Sequence, residues 1–139
     1  KRPVKSTDFK EVVYASEMTS RDEEGFKHFL EFLKPFNPDC LHLLIVNTGS
    51  FFKQPHMLAK ESLKKFESLA KDYNCKSHFY SDYSIESGIR HFAEEQNIDL
   101  IGISNLHSSA IKRIFQGSVV EMLVNHSDLP VYVVDYPRK

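Results

Sequence analysis

Tryptophan is absent from the 139 residues, cysteine occurs twice and glycine five times. Two cysteines, Cys40 and Cys75, make no disulfide framework and suit a reducing, cytoplasmic compartment. No stretch of 18 apolar residues occurs, so the sequence offers no membrane span. Charge of one sign is also missing. The 18 Lys and Arg stand against 19 Asp and Glu, for a net charge of −1, and no phosphate-led nucleic-acid surface is expected. There is no Gly-x-Ser-x-Gly elbow, no Gly-x-x-x-x-Gly-Lys-Ser/Thr loop and no His-x-x-x-His pair, so the common routes to nucleophilic, P-loop and metal chemistry are not signalled. What the chain does hold is 11 Phe and 6 Tyr, enough to fill one core at a length that fits one domain.

Short apolar runs alternate with helical patterns. Val12 to Ala15 reads as a first buried strand. Ser20 with Glu23 reads as a capping box opening a helix that carries Phe26, Phe29, Leu30 and Leu33, and Pro35 stops it. Leu41 to Val46 is a second strand. A loop with Phe51 and Phe52 leads to a helix with Leu58, Leu63, Phe66, Leu69, Ala70 and Tyr73 on one face. These two phenylalanines either lid the core or mark a contact with another domain or subunit. Lys76 to Tyr80 is a third strand, at an edge, and Ser84 caps a third helix that Asn97 ends. Ile98 to Ile103 is the fourth strand, with Asp99 at its mouth. Residues 110–116 form one or two helical turns, a last helix starts near Gly117-Ser118, and Val131 to Val134 is the fifth strand. This order predicts an α/β three-layer sandwich around a parallel sheet, with ligands beyond the carboxyl ends of the strands. Residues 1–8, polar and basic, read as a linker or flexible lead-in to a domain over 9–139.

Four side-chain groupings have ordinary expectations. The seven histidines read as scattered surface or capping groups, with no metal ligands among them. His42 and His78 do fall on strands that can neighbour. Cys40 and Cys75 each precede a strand and can approach at one end of the sheet, with two reduced thiols expected. Asp22-Glu23-Glu24 and Glu94-Glu95 read as solvated helix faces. The helix N-terminus at Gly117-Ser118 is either a simple turn and cap or an anion site.

The stretch from Asp99 to Val134, with Lys112-Arg113, Gly117-Ser118 and the closing His126…Leu129-Pro130-Val131, resembles the C-terminal signature of the universal stress protein family. Phe9 to Thr19 resembles its first strand. The resemblance implies a five-stranded parallel sheet of order 3-2-1-4-5. It also implies where an ATP site would lie: Glu17 and Asp82 near the base and sugar, with Ser104, His107, Gly117, Ser118 and Val119 around the phosphates. The match to the family's Gly-x-x-Gly, nine residues, Gly-Ser/Thr motif is partial, because Ser104 and His107 stand where the first two glycines belong. Side chains there enter space that phosphates need. The expectation is therefore a non-enzymatic domain acting in stress response through association, with a degenerate ATP motif and no cofactor. The alternative is an ATP-binding protein with weak nucleotide hydrolysis. A flavodoxin-like module is disfavoured by the absence of Gly from Glu17-Met18-Thr19-Ser20. The resemblance further implies pairing through the last strand, Val131, Tyr132, Val133 and Val134. The product is a homodimer or, since the chain opens on Lys1-Arg2-Pro3, a pseudo-dimer within a tandem protein of which this is the second half.

Overall fold

A computed structural model of the chain describes residues 9–18, 20–47, 56–105 and 129–135. The expected lead-in, the Phe51-Phe52 loop and the expected last helix lie outside the described residues.

Residues 12–15 and 40–45 are buried without a break, the mark of strands covered on both faces. They belong to β1 (Glu11–Ala15) and β2 (Cys40–Asn47). With β3 (Cys75–Ser81), β4 (Leu100–Asn105) and β5 (Val131–Asp135) they form one sheet of order β3-β2-β1-β4-β5. Every pairing is parallel. The expected α/β sandwich and its strand order are both present, and β3 stands at an edge as its alternating pattern predicts.

Helices cover both faces. On one, Phe26, Phe29 and Leu33 of α1 (Glu23–Leu33) and Leu63 and Phe66 of α2 (His56–Leu69) pack on Val12, Tyr14, Leu41, Leu43, Ile45 and Leu100. On the other, Ile89, Phe92 and Ala93 of α3 (Ile85–Glu95) pack on Val13, Ala15, Leu44, Ile101 and Ile103. A fully buried side chain of this size is worth about 1.5–3 kcal/mol, so the two apolar layers supply most of the drive to fold.

Two boundaries differ from the sequence pattern. The capping box at Ser20 does not form. Ser20–Asp22 is a single 3-10 turn, and α1 begins at Glu23 without a side-chain cap. The cause is Asp22, whose carboxylate turns into the protein instead of capping the helix. The fourth strand starts at Leu100, not Ile98. Ile98 closes α3 through its N–H to the Ala93 carbonyl (3.0 Å), and Asp99 accepts from the Lys10 and Glu11 amides (3.0 and 2.9 Å). The caps of α3 are as expected. Ser84 Oγ accepts from the Ser87 amide, and Asn97 leaves the helix with φ of 53°.

Candidate functional site

The sheet reverses direction of growth between β1 and β4, which makes the carboxyl ends of those strands the topological switch point. The loop leaving β1 is tied down there. Ser16 Oγ donates to the Asp22 carboxylate and accepts from the Met18 amide (2.8 Å), while Tyr14 Oη donates to Asp22 Oδ1 (2.8 Å). Met18 takes a left-handed conformation (φ 60°) that drives its side chain into the core. Glu17, between these two fixed residues, is left exposed on the rim. Asp22 is fully buried, which corrects its reading as part of a solvated helix face. Its neighbours keep that reading in part: Glu24 is mostly exposed, and Glu23 meets Lys65 at 3.2 Å.

Asp82 follows β3 on the same rim, where its amide donates to the Asn47 carbonyl of β2 (3.1 Å). β2 stands between the strands that lead to Glu17 and Asp82. The Asp82 carboxylate is already engaged. Oδ1 accepts from Ser87 Oγ (2.6 Å) and the Tyr83 amide (2.8 Å), and Oδ2 pairs with His91 Nδ1 (2.8 Å). The hydrogen bond from His91, with that from Ser87, holds this carboxyl below the usual carboxylate range. Ser104 lies on β4 one residue past the Ala15–Ile103 pairing, at the switch point itself. The sheet thus gathers Glu17, Asp82 and Ser104 along one edge, while His107, Gly117, Ser118 and Val119 lie outside the described residues. Tyr83, 81% exposed beside Asp82, was not singled out, because nothing in the pattern distinguishes it from any loop tyrosine.

A second polar group lies at the opposite, amino-terminal edge, on the α3 face. His42 is buried at 2% exposure. Its Nε2 meets Glu11 Oε1 at 2.9 Å and its Nδ1 meets His78 Nε2 at 3.0 Å. Both rings stand edge-on to Phe92 (centroids 5.7 and 4.7 Å). Cys40 joins them, and the ligating atoms of Glu11, Cys40 and His42 all lie within 4.8 Å of one another. Burial, with Glu11 next, pushes the Cys40 thiol up, and burial, with His42 next, pushes His78 down. The His42–His78 pair that neighbouring strands allow does form, whereas sequence spacing missed Glu11 and Cys40, which only the β1–β2 register brings to it. The sister cysteine does not belong to it. Leu41, not Cys40, pairs with Cys75, so the two thiols face opposite sides of the sheet, and both are free. On its own face Cys75 is pushed up to about 12, chiefly by burial.

The sequence profile of the universal stress protein family matches residues 46–135. The chain belongs to the universal stress protein family. Among curated relatives, universal stress protein MJ0531 of Methanocaldococcus jannaschii is 26% identical over 144 aligned positions, covering 94% of this chain and 85% of that protein. Among solved structures, hypothetical protein MJ0577, whose biochemical function was assigned from its structure, superposes with a TM-score of 0.76 at 20% identity, covering 94% and 99% of the two chains. The universal stress protein of Archaeoglobus fulgidus in complex with dAMP superposes with a TM-score of 0.65 at 18% identity, covering 91% and 98%. These two likenesses establish the universal stress protein fold for this chain. No helix among the described residues is long and apolar enough to cross a membrane.

Proposed function

We propose that this universal stress protein domain works by association, pairing through β5 with a second copy or a companion domain of the same family, and not by chemistry on a bound substrate. The outer edge of β5 carries the reading. Among the described residues β5 is the last strand of the sheet and is paired to β4 alone. Tyr132 turns inward against Phe29 and Phe32 (5.4 and 4.3 Å), which fixes the strand, while Val133 is left 37% exposed. An ordered apolar edge of this kind is a template for another strand. The rim at the carboxyl ends fits the same reading. Asp82 already has its hydrogen-bond partners, and Ser104 stands where the family's ATP motif has a glycine.

Sedimentation velocity tests the association. The wild-type chain is expected to dimerise, and Val133→Asp to weaken the dimer at least tenfold, since it buries an unpaired charge at the contact. A wild-type monomer at high concentration defeats the reading. A second reading, an adenine-nucleotide-binding domain with weak hydrolysis, is favoured by the dAMP held by the Archaeoglobus relative and by the gathering of Glu17, Asp82 and Ser104 on one edge. Tyr83 offers that reading an aromatic face for a base. Melting with ATP or dAMP, with and without magnesium, separates the two. No shift is expected, and a rise of several degrees establishes the nucleotide site.

A further inference from the structure

We propose that Glu11, Cys40 and His42 form a site for one thiophilic divalent cation of the zinc class, at the end of the sheet remote from Glu17, Asp82 and Ser104. The register builds it. Glu11 and Cys40 are direct partners across the β1–β2 pair, so their side chains share a face, and His42 is the next residue of β2 on that face. Carboxylate oxygen, thiol sulfur and imidazole nitrogen then lie within 4.8 Å of one another, close enough for small movements to bring all three onto one ion. A carboxylate and a thiolate together neutralise a divalent charge, which is what a cation at a nearly buried position requires. The mixed nitrogen, oxygen and sulfur donors select zinc-like ions over magnesium or calcium.

His78 is the positioning residue. In the tautomer that lets Glu11 accept from His42 Nε2–H, His42 Nδ1 accepts a hydrogen bond from His78 Nε2–H. When a cation takes the Nε2 lone pair, the His42 proton moves to Nδ1 and is donated to His78 Nε2, whose own proton moves to its Nδ1. Cys40 releases its proton to solvent. The His42–His78 bond survives with its direction reversed and holds the ring on the ion, the outer contact that ligating histidines ordinarily have. Glu11, whose side chain is 34% exposed, gives the ion a way in from water, and water supplies the fourth ligand.

Cobalt titration of the reduced chain tests this, followed by zinc competition against a chromophoric chelator. One cobalt per chain is expected, with a near-ultraviolet thiolate-to-cobalt band that zinc abolishes. Cys40→Ser should remove the band and weaken zinc binding at least tenfold. Glu11→Gln, at a half-exposed position that spares the core, should also weaken zinc at least tenfold but keep the band. His78→Gln should keep the band and lower affinity about tenfold. Cys75→Ser, on the other face, should change nothing. A chain that binds no stoichiometric cobalt, a band that survives Cys40→Ser, or zinc affinity unmoved by Glu11→Gln overturns the site. None of these outcomes bears on whether β5 pairs.

Discussion

Gly102 lets an aromatic ring lie directly on the sheet. A Cβ at this position would stand 2.5 Å from the Phe29 ring, which is itself wedged against Tyr14 and Tyr132. On the other face a Cβ at Gly88 would stand 2.6 Å from a Val46 methyl. Overpacking of this kind costs about 1–3 kcal/mol, so Gly102→Ala should lower the unfolding free energy by that amount, read as a lower urea midpoint with an unchanged slope. An unchanged midpoint would mean that Phe29 swings clear at no cost. In the sequence, glycine mattered for its scarcity where the resemblance places the family's ATP motif. Its use at 102 and 88 is invisible there, because it depends on a ring or methyl brought from another element. Asp22 is a similar case. The Tyr14 and Ser16 hydroxyls that bury it lie on the preceding strand and loop, and no spacing rule links them to the start of α1.

At the scale of elements, α3 was readable and α1 was not fully so. Ser84 and Asn97 act locally, within one turn of the helix they bound, and local chemistry is what a single sequence records. Ser20 lost its capping role to a tertiary demand on Asp22. The junction between β3 and α3 also holds a pH dependence. His91, on the second turn of α3, and Ser87 both bind Asp82, and the folded carboxyl is depressed. The unfolded chain therefore takes up this proton first as pH falls. The contribution to stability is complete above the unfolded carboxyl value of about 3.9 and is lost as pH drops through the lower folded value. Asp82→Asn should be less stable than wild type at pH 7, and the gap should narrow on the acid side, as read from denaturation at the two ends. A gap independent of pH would show that packing alone, not the carboxylate, matters at this junction.

For the whole molecule, the alternation of apolar runs was enough for a parallel sheet between helices, and the family resemblance supplied the strand order. Register was out of reach of both. Whether Cys40 or Leu41 faces Cys75 is a shift of one residue, and that shift decides whether two thiols meet or are separated by the sheet. Glu17, Asp82 and Ser104 were named by the family resemblance, and the strands they follow or end bring them to the same rim of the sheet. The Glu11–Cys40–His42 group was not, because it depends on the register between β1 and β2.

The Asp99 carboxylate, described above as holding the Lys10 and Glu11 amides, has a bearing on how the chain assembles. The first three strands meet through comparatively short separations. Joining β4 to β1 spans 88 residues between Glu11 and Asp99, about three times the separation from Glu11 to Cys40. The extra loop-closure entropy is about 1 kcal/mol, incurred before the contacts of the second half reward it. Two hydrogen bonds from one acidic side chain offset that cost at the point of closure. Asp99→Ala should therefore slow refolding more than it speeds unfolding in a chevron measurement; an effect confined to unfolding would put closure after the barrier. The residue at the mouth of the fourth strand then acts as a timing element, setting when β4 joins the strands that precede it in the chain.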